Sequence, residues 1–319
     1  MNFKNEVKTD SPKSKIEIAR RMDFVTTQSD LDNEYARIKK NHLGYQKNRG
    51  LKDFKDTEVR KSDSYSFFNH TDVDISLKEV GEGITKAEGE LKAVCKENKI
   101  EYSKELKCKL LDYYKLLIEW NEKINLTALT KSEDVYFKHF IDSANVIKYI
   151  KTFCTVLDVG SGAGFPGLII ALFRPDLKVV LVDSLQKRVD FLNIVIQKLG
   201  LTNVTAIHHR VEDKEFKDEY LNQFNYVVSR AVASLDTLSE YCVPFVKVNG
   251  EFIAFKADNI EDELKHSFIA MQVMGGKYDR TEEYEVNGVK RKLVFVKKLK
   301  KTSDKYPRGL NKPKSNPVK

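Results

Sequence analysis

Residues 156–167, VLDVGSGAGFPG, constrain this chain more than any other stretch. Val156, Leu157 and Val159 flank Asp158; Gly160, Gly162 and Gly164 then alternate with Ser161 and Ala163 before a second apolar run begins. A short apolar run that closes on glycines and reopens as an apolar run predicts a strand, a tight loop and a helix. A side chain at the glycine positions would hold a ligand away from the backbone, and the N–H groups at a helix start favour negative groups. The loop is expected to cradle a small cofactor, because three alternating glycines weaken a fold unless something needs the space.

Which cofactor depends on spacing. A dinucleotide fingerprint is G-x-G-x-x-G, but here the sixth position is Phe165 and the third glycine, Gly164, comes one residue early. D-x-G-x-G-x-G resembles instead the first motif of class I methyltransferases, which implies S-adenosylmethionine with its carboxylate toward the helix N-terminus. On the glycines alone a nucleotide-dependent oxidoreductase stays open.

After the loop, apolar runs and helical patterns alternate. Phe165–Phe173 reads as a helix stopped by Arg174-Pro175, and Lys178–Asp183 as a buried strand. Asp183 lies about twenty residues past the glycines, where nucleoside-binding folds place the ribose carboxylate. Its alternative role is to cap the helix from Leu185 to Leu199. Strands are expected at 204–211, 226–233 and 250–256, a pattern that implies a parallel, doubly wound sheet. EYEVNGVKRKLVFV then places Asn287-Gly288 between two strand-like runs, the signature of an antiparallel hairpin.

Residues 1–84 are charged and poor in aliphatic side chains, a composition that struggles to bury a core, and are expected to form a flexible extension. Leu31, Tyr35 and Ile38 could line one short helix within it. Residues 85–151 read as a small helical cap. Thr85 and Glu88 have capping-box spacing, Ser103 can cap a second helix, and a third starts near Ser132. His139 and Asp142 are one turn apart on that third helix and could hydrogen-bond to each other. No apolar run approaches the ~18 residues of a membrane span, and no signal peptide is visible, so a cytoplasmic protein is expected. The four cysteines are far apart, which suggests neither a zinc site nor a disulfide framework.

Several motifs in order resemble one family, the RsmG/GidB proteins, bacterial 16S rRNA guanine-N7 methyltransferases. They are W-N-x-K-I-N-L-T-A at 120–128, H-F-x-D-S at 139–143, the glycine loop, D-S-L-x-K-R at 183–188, S-R-A-x-A at 229–233 and K-Y-P-R at 305–308. The resemblance implies a class I, Rossmann-like doubly wound α/β sheet, mostly parallel with an antiparallel C-terminal hairpin, spanning residues 152–301 behind the helical cap. It also implies that Gly160, Phe165, Val211, Glu212 and Arg230 line the cofactor pocket, with Val211 and Glu212 at the adenine and Phe165 and Arg230 closing the site. Asp158, Gly162, Gly164 and Asp183 join them from the spacing argument. The expected partner is small-subunit rRNA or the small ribosomal subunit, met by a monomer without metal or membrane. Two departures from the family pattern are the long N-terminal extension and a tail that reads YPRGLNKPKSNP, where arginine and glycine more often follow YPR.

Guanine N7 carries an in-plane lone pair, so in-line methyl transfer to it requires no general base. Positioning and electrostatics must then supply the acceleration. Strand four ends in Ser229-Arg230, not in an N-P-P-Y or Pro-Cys sequence, which disfavours adenine-N6 and cytosine-C5 chemistry. Asn125 and Arg230 are the candidate positioning groups. Asn125, His139, Lys256, Tyr306 and Arg308 are the candidate substrate contacts. Residues 290–319 hold twelve Lys and Arg against Asp304, a net +11 in a chain of +8, so the remainder is near −3. The basic tail, 302–319, is expected to grip a phosphate backbone. A non-catalytic rRNA-binding assembly factor is the other class open to such a chain, although an intact glycine loop argues against it.

Overall fold

The computed structural model describes residues 74–319. The expectations for residues 1–73, including the short helix around Tyr35, lie outside the described residues. Two long helices come first, α1 (Asp74–Glu97) and α2 (Lys104–Ile124). Thr85 falls inside α1 and does not begin it: its hydroxyl donates to the Gly81 carbonyl one turn back, so the expected capping box is not formed. Ser103 does cap α2, accepting from the Leu106 N–H at 3.1 Å. The third cap element is broken into α3 (Ser132–Val135), a π-helical turn (Tyr136–Ile141) and α4 (Asp142–Ala144). π-Turns of this kind recur at functional sites.

The sheet has seven strands: β1 (Thr155–Val159), β2 (Lys178–Asp183), β3 (Val204–His208), β4 (Phe224–Arg230), β5 (Val246–Ala257), β6 (Gly276–Val286) and β7 (Val289–Lys298). Their order is β3-β2-β1-β4-β5-β7-β6. The first five are parallel, and β7 runs antiparallel to both β5 and β6, as the hairpin signature predicts. The connecting helices are α5 (Gly167–Phe173), α6 (Gln186–Lys198), α7 (Lys214–Tyr220), α8 (Leu235–Cys242) and α9 (Glu261–Val273), and α10 (Lys312–Ser315) lies in the tail.

Period-two alternation divides the central strand between two cores. Val156 joins the cap helices, α5 and α6 on one face; Leu157 and Val159 join α7, α8 and α9 on the other. The strand order reverses between β1 and β4, so a crevice opens at their carboxyl ends, where open α/β sheets bind ligands. Two strands are shorter than expected. β3 ends at His208, leaving Val211 in the following turn, and β4 ends at Arg230 because Ala231 adopts a left-handed φ of +58° that turns the chain away.

Candidate cofactor and substrate site

The glycine loop leaves β1 and enters α5 under tight packing. Asp158 is fully buried; its Oδ2 accepts the Gly167 N–H at 2.9 Å, fastening strand to helix, while its Oδ1 has no partner. Burial raises its carboxyl to about 7. The three alternating glycines turn out to serve different ends. A Cβ at Gly160 would meet Val232 Cγ2 at 2.6 Å, and one at Gly164 would run into the Tyr113 hydroxyl and Leu168. At Gly162 the nearest atom is the Gly160 carbonyl oxygen, 3.9 Å away. Two of these glycines therefore make room for the protein's own side chains, whereas a Cβ at Gly162 would make only an ordinary contact with the loop's own backbone.

Asp183, at the end of β2 and 3% exposed, reaches back to this loop. Its Oδ2 accepts the Gly162 N–H at 2.9 Å and Oδ1 accepts the Leu185 N–H at 3.0 Å, with the Arg188 guanidinium at 3.4 Å. The helix that follows has no side-chain cap, so Asp183 tightens the turn before it and is not its N-cap. Val211 is buried, and Glu212 pairs with Arg210 at 2.8 Å.

Arg230 gathers the motifs that were far apart in sequence. One guanidinium nitrogen donates to the Lys138 carbonyl at 3.0 Å and to Asp142 Oδ2 at 2.8 Å; the other donates to His139 Nδ1 at 3.1 Å. The guanidinium lies 5.2 Å from the Phe165 ring centroid, and His139 stacks on the same ring at 4.6 Å. His139 and Asp142 thus bind Arg230 and not each other, contrary to the sequence reading; the π-turn carries both toward β4. Nδ1 lies 3.1 Å from both the Arg230 guanidinium and the Lys138 carbonyl, and Nε2 lies 2.9 Å from Thr127 Oγ1, so both ring nitrogens are occupied. Burial, and then the Arg230 charge, lower this imidazole to about 3, so it stays neutral. On the opposite side Tyr284 of β6 donates to Asp142 Oδ1 at 2.7 Å.

Other expected substrate contacts are placed differently. Asn125 closes α2 in the left-handed conformation, with its N–H on the Asn121 carbonyl and its side chain exposed two residues before Thr127. Lys256 donates to the Ala233 carbonyl at 2.9 Å and to Glu263 at 2.6 Å, so it pins the loop after β4 and is not free for a substrate. Tyr306 is buried in the second core. Arg308 spends its donors on the buried Glu240, at 2.8 Å from the backbone N–H and 2.7 Å from Nη2. The tail is therefore docked on α8, and neither the stacking nor the clamping expected of these two residues is available. The lysines it presents outward are Lys305, Lys312, Lys314 and Lys319, with Lys300 and Lys301 just before it. Sequence reasoning missed Tyr113, which donates to the Ala163 carbonyl at 2.5 Å and stacks on Phe165, and Thr127. Thr127 lay inside a recognised motif; Tyr113 recurs with Leu106, Leu110 and Leu117 on the buried face of α2, and that spacing does not set it apart.

Comparison with known proteins adds an independent line. The family profile described as GidB, rRNA small subunit methyltransferase G, matches residues 106–294. A protein of Desulforamulus reducens named ribosomal RNA small subunit methyltransferase G is 46% identical over 232 residues, covering 72% of this chain and 97% of that protein. Its namesake in Clostridium perfringens strain 13 is 46% identical over 233 residues, with 72% and 98% covered. A third, from Clostridium kluyveri, is 43% identical over 228 residues, with 71% and 96% covered.

Proposed function

Since the chain belongs to the GidB family of rRNA small subunit methyltransferases G, we propose that it transfers a methyl group from S-adenosylmethionine to N7 of a guanine in small-subunit rRNA. The observation that carries this reading is identity of 46% extending over 97% of a relative named for rRNA methyl transfer. No helix among the described residues is long and apolar enough to cross a membrane.

The residues present fit the cofactor. Gly162 leaves space where a side chain would intrude, and Asp158 Oδ1 is a buried acceptor without a donor. Buried acceptors are rarely left unpaired, and the cofactor's ammonium is a donor suited to this one. Asp183 would hold the ribose, Val211 and Glu212 the adenine, and Phe165 with Arg230 would wall the mouth. Bound S-adenosylmethionine supplies an electrophilic methyl group on a sulfonium.

The chain's own groups position and do not deprotonate. His139 is neutral, with Nδ1 taken by Arg230 and Nε2 facing Thr127, so it is not a free base. That accords with an acceptor atom whose lone pair is already available. Arg230, oriented by Asp142 and His139, keeps a fixed charge beside Phe165 and the glycine loop, and the exposed Asn125 is the group offered to the incoming base. Calorimetry with S-adenosylmethionine and NAD side by side, followed by transfer of labelled methyl to small subunits from cells lacking the protein, tests the proposal. Label recovered as N7-methylguanosine supports it; tight NAD binding without methyl-donor binding refutes it.

A further inference from the structure

A cleft of about 650 Å³ separates two walls that are distant in sequence. Arg210, Glu212, Asp213 and Lys214 form one, and Gly309, Leu310 and Asn311 the other. It is an open groove, broad to solvent and lined largely by charged side chains. The first wall leaves the end of β3, which is paired with Asp183 of β2 through His208. The second is held from the β4 side, where α8 anchors the tail at three points. These are Glu240 to Arg308, Thr237 Oγ1 to the Pro313 carbonyl at 3.1 Å, and Tyr241 Oη to Asn311 Oδ1 at 3.4 Å.

Between those anchors the backbone is strained. Leu310 and Asn311 both adopt left-handed conformations, with φ of +60° and +57°, although Gly309 next door would accept such a turn without cost. The Leu310 side chain is 90% exposed at the cleft. A large apolar side chain held out of the core beside a cleft is available to a ligand. Facing it, Arg210 is half-exposed and has its guanidinium fixed by Glu212. An apolar side chain and a fixed guanidinium lining one open cleft suit a flat, weakly polar ring such as a purine.

We infer that Gly309–Asn311 is the outer wall of the nucleoside site and that Leu310 packs against the cofactor's adenine. The inference rests on the reading that Val211 and Glu212 contact that adenine. It gives the tail a second duty: the strap docked on α8 closes the cofactor site from outside.

Calorimetric titration of S-adenosylmethionine into the full chain, and into its Leu310→Gly and Leu310→Met variants, tests this. Glycine adopts a positive φ freely, so Leu310→Gly should melt no lower than the parent, yet bind the cofactor about tenfold more weakly through loss of apolar contact. Leu310→Met keeps that contact and should stay within about threefold. Equal affinity for Leu310→Gly and the parent overturns the inference while leaving the methyltransferase reading in place. If transfer to small subunits weakens in that case, the wall belongs to an RNA base. Failure of the parent to bind S-adenosylmethionine overturns both.

Discussion

Replacing Asp142 by alanine should be among the single changes most damaging to the fold, although Asp142 lies in the cap and outside the glycine loop. The carboxylate is 5% exposed and accepts from Arg230 at 2.8 Å and from Tyr284 at 2.7 Å. Removing one member of a buried ion pair costs about 3 to 5 kcal/mol, because the remaining charge is left uncompensated. Arg230 keeps the Lys138 carbonyl and His139 as acceptors, which points to the lower end of that range. About 3 kcal/mol corresponds to a fall of roughly 6 to 12 °C in melting temperature for a domain of this size. Urea denaturation should show a lower midpoint at unchanged slope. Adding Tyr284→Phe should then cost little more, since the phenol has already lost its acceptor and an orphaned buried hydroxyl is itself unfavourable. Cofactor affinity should drop as well, because Arg230 is no longer held over Phe165. A destabilisation below about 1 kcal/mol, within the range of an exposed pair, would refute the view that Asp142 sets Arg230 in place.

Gly162→Ala and Gly164→Ala should part company. The first places its Cβ without a clash, in ordinary contact with the Gly160 carbonyl, and should weaken S-adenosylmethionine binding by more than about tenfold while costing only the ~1 kcal/mol of a strained positive φ. The second drives a Cβ into Tyr113 and Leu168 and should lower stability more; calorimetry and thermal melts on both variants check the contrast. The His139 imidazole should titrate near 3 by NMR, held down by burial and Arg230. Since its folded value lies below the ordinary 6.5, the unfolded chain takes up this proton first. The stability His139 contributes is therefore complete above about pH 6.5 and lost as pH falls toward 3. Asp158, raised to about 7, acts in the opposite sense, its contribution being lost as pH rises from about 4 through 7. His139→Gln should accordingly make denaturation midpoints fall more steeply with rising pH between about 4 and 6.5 than in the parent.

The elements that bury a continuous apolar run were legible from sequence. β1, β2 and the Asn287-Gly288 hairpin follow directly from apolar patterning and from a turn that only residues tolerant of positive φ can make. The first helix was misjudged at its start because Thr85 and Glu88 match a capping box by spacing alone, and spacing does not reveal that helical residues already precede them. Within the site, Asp158 and the glycines were marked by their pattern. The division of labour among those glycines was not, since Val232 and Tyr113 reach them from segments remote in sequence. The same limit applied to His139 and Asp142: their one-turn separation suggested a mutual bond, and only the π-turn and the end of β4 bring Arg230 between them. Tyr306 and Arg308 misled for a different reason. A basic stretch reads as an RNA grip until a buried acid, Glu240, is found facing it.

The central claim is methyl transfer to guanine N7 in small-subunit rRNA. It is tested most directly by mapping N7-methylguanosine in that RNA from cells with and without the protein. One guanine methylated at N7 in the presence of the protein, unmethylated in its absence and restored by the parent chain but not by Gly162→Ala, is the predicted result. An unchanged N7-methylguanosine content in the RNA of cells lacking the protein would contradict the account.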